Sequence, residues 1–146
     1  MFADFLNRLL APAPQPLHDS DARLALTALL VRLAHADGQY EVAEIERIDA
    51  IIQARFGLDH DGAKALRRDA EALEGEAPDT VRFTRAIKDA VPYDERLGVI
   101  EALWQVALAD GVREAEEDAL LRLVSNLLGI NDRDSALARQ RVEARR

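Results

Sequence analysis

Residues 36–44 read Ala-Asp-Gly-Gln-Tyr-Glu-Val-Ala-Glu, and residues 109–117 read Ala-Asp-Gly-Val-Arg-Glu-Ala-Glu-Glu. In both stretches an Asp-Gly pair ends an apolar segment, and carboxylates follow four and seven residues after the aspartate. Glycine readily adopts the left-handed backbone conformation that closes a helix. Each stretch therefore predicts a tight acidic turn between two helices, at Asp37 in the first copy and at Asp110 in the second.

The repeat extends beyond the turns at the 73-residue offset that separates the two aspartates. Residues 21–24 (Asp-Ala-Arg-Leu) correspond to residues 94–97 (Asp-Glu-Arg-Leu), and Ile48 corresponds to Leu121. Each unit contains a helix that is apolar on most of its circumference, an Asp-Gly turn, and a helix with one apolar side. Neither pair can cover its own apolar surface, so we expect the two pairs to pack against each other.

Apolar residues recur at helical spacing through most of the chain and predict an all-α fold. Acidic residues or proline mark the helix starts, and glycine marks several ends. We expect a compact bundle of about seven helices behind a short N-terminal helix. The predicted helices cover residues 2–10, 19–36, 42–56, 61–74, 79–90, 93–109 and 115–128, and the weakly amphipathic tail at 131–146 is a candidate for one more.

The chain is divided at its Pro-rich segment. Residues 1–16 are predicted to form an amphipathic helix and a stiff linker, and residues 17–146 the helical domain. The N-terminal helix either packs on the body or docks on a membrane or a protein partner through its apolar face. The start lacks the early cation and long apolar core of a secretion signal. We therefore expect a cytoplasmic protein, with peripheral contact at the inner face of the membrane as the alternative.

Charge and composition exclude several functional classes. The net charge is −8, whereas a nucleic-acid-binding protein usually carries a basic surface, so no nucleic-acid partner is expected. The absence of cysteine excludes disulfides, thiolate metal sites and cysteine nucleophiles. The chain also has no Gly-rich phosphate loop and no zinc-protease helix motif. We expect a protein without catalytic residues, and a carboxylate-dependent hydrolase is the weaker alternative.

The two aspartates lie where a helix disfavours them. A helix C-terminus carries partial negative charge, so Asp37 and Asp110 each cost up to about 1 kcal/mol there. One explanation is structural: each aspartate accepts hydrogen bonds from backbone N–H groups and fixes the turn. The glutamates seven residues on, Glu44 and Glu117, would then occupy the third helical position and reach back to the cap.

The other explanation is a binding site for a hard cation. The windows 37–49 and 110–118 each contain five acids and one arginine. Carboxylate oxygens suit Ca²⁺, Mg²⁺ or Mn²⁺, although the spacing is not that of an EF-hand. A basic protein partner would use the same surface. The candidate metal ligands are Asp37, Glu41, Glu44, Asp110, Glu114 and Glu117.

The duplicated Ala-Asp-Gly motif, with glutamate seven residues after the aspartate, resembles the TerB-like family over residues 19–130. That family includes tellurite-resistance proteins and is related to the N-terminal domain of the DjlA co-chaperone. The resemblance implies a bundle of about seven helices with acidic positions at Asp37, Glu44, Asp110 and Glu117. It also implies a non-catalytic role in tellurite and other chemical stress, with metal-linked complexes at the membrane.

The chain departs from that family in two respects. It has an extra N-terminal helix, and Glu41 and Glu114 replace the common Ser or Thr cap of the second helix in each unit. With no cysteine and only the initiator methionine, the chain offers no soft ligand for tellurium. Direct detoxification of tellurium is therefore not expected.

Overall fold

Eight α-helices and no β-strand form the regular structure of the described residues in the computed structural model. The structure describes residues 3–10, 19–35, 40–77, 79–108 and 115–144, and it gives only the backbone at Arg8, Asp19, Ser20 and 115–117. The predicted all-α bundle is confirmed. The helices are α1 (Ala3–Leu9), α2 (Asp19–Ala34), α3 (Val42–Phe56), α4 (His60–Glu76), α5 (Thr80–Ala90), α6 (Tyr93–Ala107), α7 (Ala115–Leu127) and α8 (Asp132–Ala144).

The two central helices are α2 and α6, as their nearly continuous apolar surfaces predict. They pack against each other, and the halves pack reciprocally, with α3 against α6 and α7 against α2. Within each half the most extensive contact joins the first helix to the third, α2 to α4 and α6 to α8. A helix that is apolar on most of its circumference needs neighbouring helices on several sides to bury that surface.

The repeat is therefore three helices long, one more than the sequence indicated. Gly57 after α3 and Gly129 after α7 both adopt positive φ, 67° and 76°, and close their helices in the left-handed conformation. The following residues, Leu58 and Ile130, donate their N–H groups back to Gln53 and Ser125 at 3.1 and 2.9 Å. These positions are 72 rather than 73 residues apart, because α7 is shorter than α3.

The third helices, α4 and α8, also begin in the same way. Asp59 accepts a hydrogen bond from the Gly62 N–H at 2.7 Å, and Asn131 accepts one from the Asp134 N–H at 2.8 Å. The tail of the chain thus forms a complete helix that packs on α6. Small or modest side chains form its buried face: Ser135, Ala138 and Val142.

The helix α5 connects the two halves and contacts α1, α2 and α7. Asp79 caps it by accepting a hydrogen bond from the Arg82 N–H at 3.1 Å, and Phe83 and Ile87 are fully buried. The apolar face of α1 lies against the body, with its large side chains Phe5, Leu6 and Leu9 buried in the common core. None of the helices in the described ranges is long and apolar enough to cross a membrane.

Candidate functional site

The structure describes only some of the predicted ligand residues. Asp37, Asp110 and Glu114 lie outside the described residues, and Glu117 is described only as backbone in the first turn of α7. Glu41 and Glu44 are described in full and lie at the start of α3. Among the described side chains, no group of three or more His, Asp or Glu is arranged to hold a metal ion. The predicted ligand set remains a prediction.

Glu41 is the N-cap residue of α3, but its side chain does not cap the helix. Its backbone is extended, with φ −84° and ψ 162°, and its carboxylate is exposed and accepts no cap hydrogen bond. Asp59 and Asp79, the N-caps of α4 and α5, both accept such bonds. The sequence placed Glu41 near the N-cap of this helix, and that location is confirmed. Its carboxylate leaves the helix N-terminus without a side-chain cap.

We call residues 37–44 the first acidic corner and residues 110–117 the second. A network of charged side chains lies between α3 and α4, next to the described part of the first corner. Arg67 is only 8% exposed and donates from Nε to Asp49 Oδ1 at 2.6 Å. Its Nη1 lies 3.2 Å from both carboxylate oxygens of Glu71, one turn further along α4. Charge-assisted hydrogen bonds of this kind compensate the cost of burying the guanidinium group. The network therefore fixes α4 against the helix that follows the first acidic turn.

Tyr40 connects that network to the corner itself. Its hydroxyl oxygen is shielded from solvent, and its ring meets His35 edge to face with centroids 4.4 Å apart. Burial raises the pKa of the Tyr40 phenol, and the neighbouring Glu71 carboxylate raises it further. The phenol therefore stays protonated beyond the pH at which a free tyrosine ionises.

The end of α2 is fixed to α4 by a second set of charges. Arg32 donates from Nε to Glu74 Oε1 and from Nη2 to the Glu74 carbonyl oxygen, both at 3.2 Å. His35 Nδ1 lies 3.5 Å from the other carboxylate oxygen of Glu74. The carboxylates of Asp49, Glu71 and Glu74 thus form ion pairs with arginines. Glu41, at the start of α3, makes no ion pair with another described residue.

The helices next to the second corner are joined by different side-chain contacts. The position equivalent to Arg67 is Arg139, which pairs with Glu143 at 3.3 Å and lies over the Trp104 ring at 5.7 Å. The residue equivalent to Asp49 is Arg122, so the bridge between the second and third helices is absent from this half. The two acidic corners are therefore copies in sequence but not in their surroundings.

The sequence contains one indication that Arg67 is buried. Arg67 lies on the same face of α4 as the buried Ala63 and Ala70, so a charged residue interrupts an apolar stripe at helical spacing. A buried arginine almost always has an acidic partner. The partner Asp49 belongs to another helix, however, and only the folded arrangement identifies it.

We expect replacement of Tyr40 by phenylalanine to reduce destabilisation at alkaline pH. A pKa raised in the fold means that the unfolded chain loses its proton first, so stability is intact below pH about 10 and falls above it. Urea unfolding at about pH 8 and about pH 11 should show a smaller loss for Tyr40→Phe than for the wild type. The hydrogen bond to Asp134 also raises the pKa of Tyr93, at an exposed position, so Tyr93→Phe should show a smaller effect of the same sign. An effect equal to or larger than that of Tyr40→Phe would contradict the role of burial at Tyr40.

The fold is that of a small all-α module built from two copies of a three-helix unit, each with an acidic Asp-Gly segment in its sequence. Residues 23–140 match the family model described as tellurite resistance protein TerB, a range that contains both corners and both halves. The chain belongs to the TerB family. No match to it was found among curated proteins or solved structures.

Proposed function

We propose that this TerB family member is a non-catalytic module that binds a divalent cation, Ca²⁺, Mg²⁺ or Mn²⁺, at its acidic corners. The proposal rests on the carboxylate of Glu41, which is exposed at the N-cap of α3 without capping it. The carboxylate is attracted by the helix N-terminus but accepts no backbone hydrogen bond from it, so its oxygens are available for an external ligand. The ligands would come from Asp37, Glu41 and Glu44 at the first corner and from Asp110, Glu114 and Glu117 at the second.

The distribution of charge around the first corner supports this proposal. Asp49, Glu71 and Glu74 are compensated by arginines and contribute to packing. Glu44, half-buried in the first turn of α3, lies one helical turn from Glu41, a spacing at which side chains are neighbours. Hard oxygen ligands on a short acidic turn favour a hard cation over a soft one.

The family description connects the chain to tellurite resistance, and we propose an indirect part in that stress response. Tellurium is a soft element that favours thiol or thioether ligands, and the only sulfur in the chain is that of the initiator methionine. A cation-dependent structural or signalling role fits the side chains better than reduction or sequestration of tellurium.

Calorimetric titration with CaCl₂, MgCl₂ and MnCl₂ tests the proposal. We expect saturable heat with at least one ion, and its loss in the double variant Asp37→Asn, Asp110→Asn. The matched control is Asp69→Asn, Asp89→Asn, which removes the same charge at exposed positions of α4 and α5. No heat with the wild type, or equal heat for the two double variants, would reject cation binding at the corners.

A basic protein partner is the second candidate, and Val42 favours it. This side chain is 68% exposed directly beside Glu41 and gives the corner an apolar contact point that a metal ion would not use. Binding of a labelled peptide of alternating lysine and leucine, measured in EDTA, would support this candidate if Val42→Ser weakened it. Binding that required the metal, or that ignored Val42, would exclude it.

A further inference from the structure

A cavity of about 240 Å³ lies between the first halves of α2 and α6 and the end of α3. Its apolar part is formed by Leu26, Phe56 and Val99. Its charged part is formed by two arginines, Arg23 and Arg55, and one glutamate, Glu95. In a protein of net charge −8, a cavity with two cations against one anion is a local reversal of sign.

Gly98 provides the position that Arg55 occupies. A Cβ atom at Gly98 would lie 2.6 Å from Arg55 Nη1, so the guanidinium group lies directly against the backbone of α6. Glycine inside a helix costs about 1 kcal/mol relative to alanine. The equivalent position in α2 is Ala25, so the glycine is not required by the repeated fold and coincides with the arginine that covers it.

The arginine at the position equivalent to Arg23 in the other half stabilises the fold through hydrogen bonds to the backbone. Arg96, the counterpart of Arg23, donates from Nε to the Val91 carbonyl oxygen at 2.9 Å and from Nη1 to that of Leu128. Arg23 instead lies over the Phe56 ring, 5.2 Å from its centroid, at the wall of the cavity. Arg96 thus donates to backbone carbonyl groups, whereas the Arg23 guanidinium faces the cavity.

We infer that this cavity binds a small monocarboxylate carried on a short apolar chain. The guanidinium groups of Arg23 and Arg55 would hold the carboxylate, because their planar donor pairs match its two oxygens. The side chains of Leu26, Phe56 and Val99 would cover the apolar chain. With Glu95 at the same cavity the lining side chains carry one net positive charge, which a single carboxylate neutralises. The volume lies below the roughly 300–1,000 Å³ of drug-sized sites and fits a short ligand.

Titration with sodium hexanoate, followed by calorimetry and by NMR chemical-shift changes, tests this inference. We expect saturable binding of hexanoate, and at least about tenfold weaker binding of acetate, which lacks the apolar chain, and of 1-hexanol, which lacks the charge. Hexanol binding as tightly as hexanoate would overturn the role of the arginines. Acetate binding as tightly would overturn the role of the apolar wall, and no hexanoate binding would overturn the inference as a whole.

Three variants locate the site. Gly98→Ala restores the residue of the α2 repeat, displaces the Arg55 guanidinium and should preserve or raise thermal stability, yet weaken hexanoate binding at least about tenfold. Arg55→Gln should weaken it similarly, and Glu95→Gln should strengthen it. Arg85→Gln, at an exposed position of α5, is the control and should change nothing. Equal affinity of Arg55→Gln and the control would reject the site, even if Gly98→Ala failed to fold.

Discussion

Replacement of Arg67 by methionine is expected to lower the free energy of unfolding by about 3 kcal/mol. The guanidinium group is nearly buried and compensates both Asp49 and Glu71. Methionine fills a similar volume but leaves two carboxylates partly buried, close to each other and to the shielded Tyr40 hydroxyl. An uncompensated buried charge is far more costly than the loss of an exposed ion pair.

Urea unfolding followed by circular dichroism measures this effect, and the repeat supplies its control. Arg139 is the equivalent residue of α8, and its partner Glu143 is 49% exposed. We expect Arg139→Met to cost less than about 1 kcal/mol. If the two variants lost equal stability, the buried network would have no special part in fixing α3 against α4.

Replacement of Phe83 by alanine is expected to lower the free energy of unfolding by about 3–5 kcal/mol. The ring is 0% exposed, and the Arg32 guanidinium lies 5.4 Å from its centroid. Its removal leaves a cavity where α5 meets the body and takes away the surface on which Arg32 rests. Because domains of this kind are stable by only about 5–15 kcal/mol, the variant should unfold at a markedly lower temperature.

Val81→Ala is the matched control on the same helix. Val81 is 37% exposed, so its truncation should change the stability by no more than about 0.5 kcal/mol. Differential scanning calorimetry of both variants separates core packing from helix propensity, since each places alanine in α5. A small effect of Phe83→Ala would show that the connection between the halves contributes little to the core.

The parts of the fold that the sequence predicts are those with strong local signals. The boundaries of α3, Val42–Phe56, follow from a clear isoleucine stripe and the terminating Gly57. The duplicated helix pair follows from long apolar side chains that recur at a constant offset. Large apolar residues at helical spacing carry most of the local information about where a helix lies and which side it buries.

The third helix of the second unit, α8, had a weaker signal, whereas the sequence already predicted α4 as a helix over residues 61–74. The buried face of α8 contains Ser135 and Ala138, which allow close packing on α6 but add little hydrophobicity. The second half is also one residue shorter up to the glycine that ends its second helix. Residues after α7 therefore no longer match the first half at the 73-residue offset. Close approach of small side chains is a property of the packed pair and not of either sequence segment alone.

The sequence predicted where Glu41 and Glu44 of the candidate site lie, but not which hydrogen bonds their side chains make. The sequence placed Glu41 at the N-terminus of α3, and the structure confirms that location. Whether a cap residue bonds to its helix depends on backbone angles and side-chain length that the pattern does not encode. The contacts of Arg67 with Asp49, and of Tyr40 with His35, join different helices and depend on the tertiary fold.

The reciprocal packing of the two halves has a consequence for shorter chains. A polypeptide with only one three-helix unit would leave its central helix bare on the side that meets the other half. The surface best shaped to cover it is the same surface of an identical molecule, so such a polypeptide should assemble as an isologous homodimer. In the chain with both units the segment containing α5 acts as a tether, which turns that concentration-dependent association into an intramolecular step.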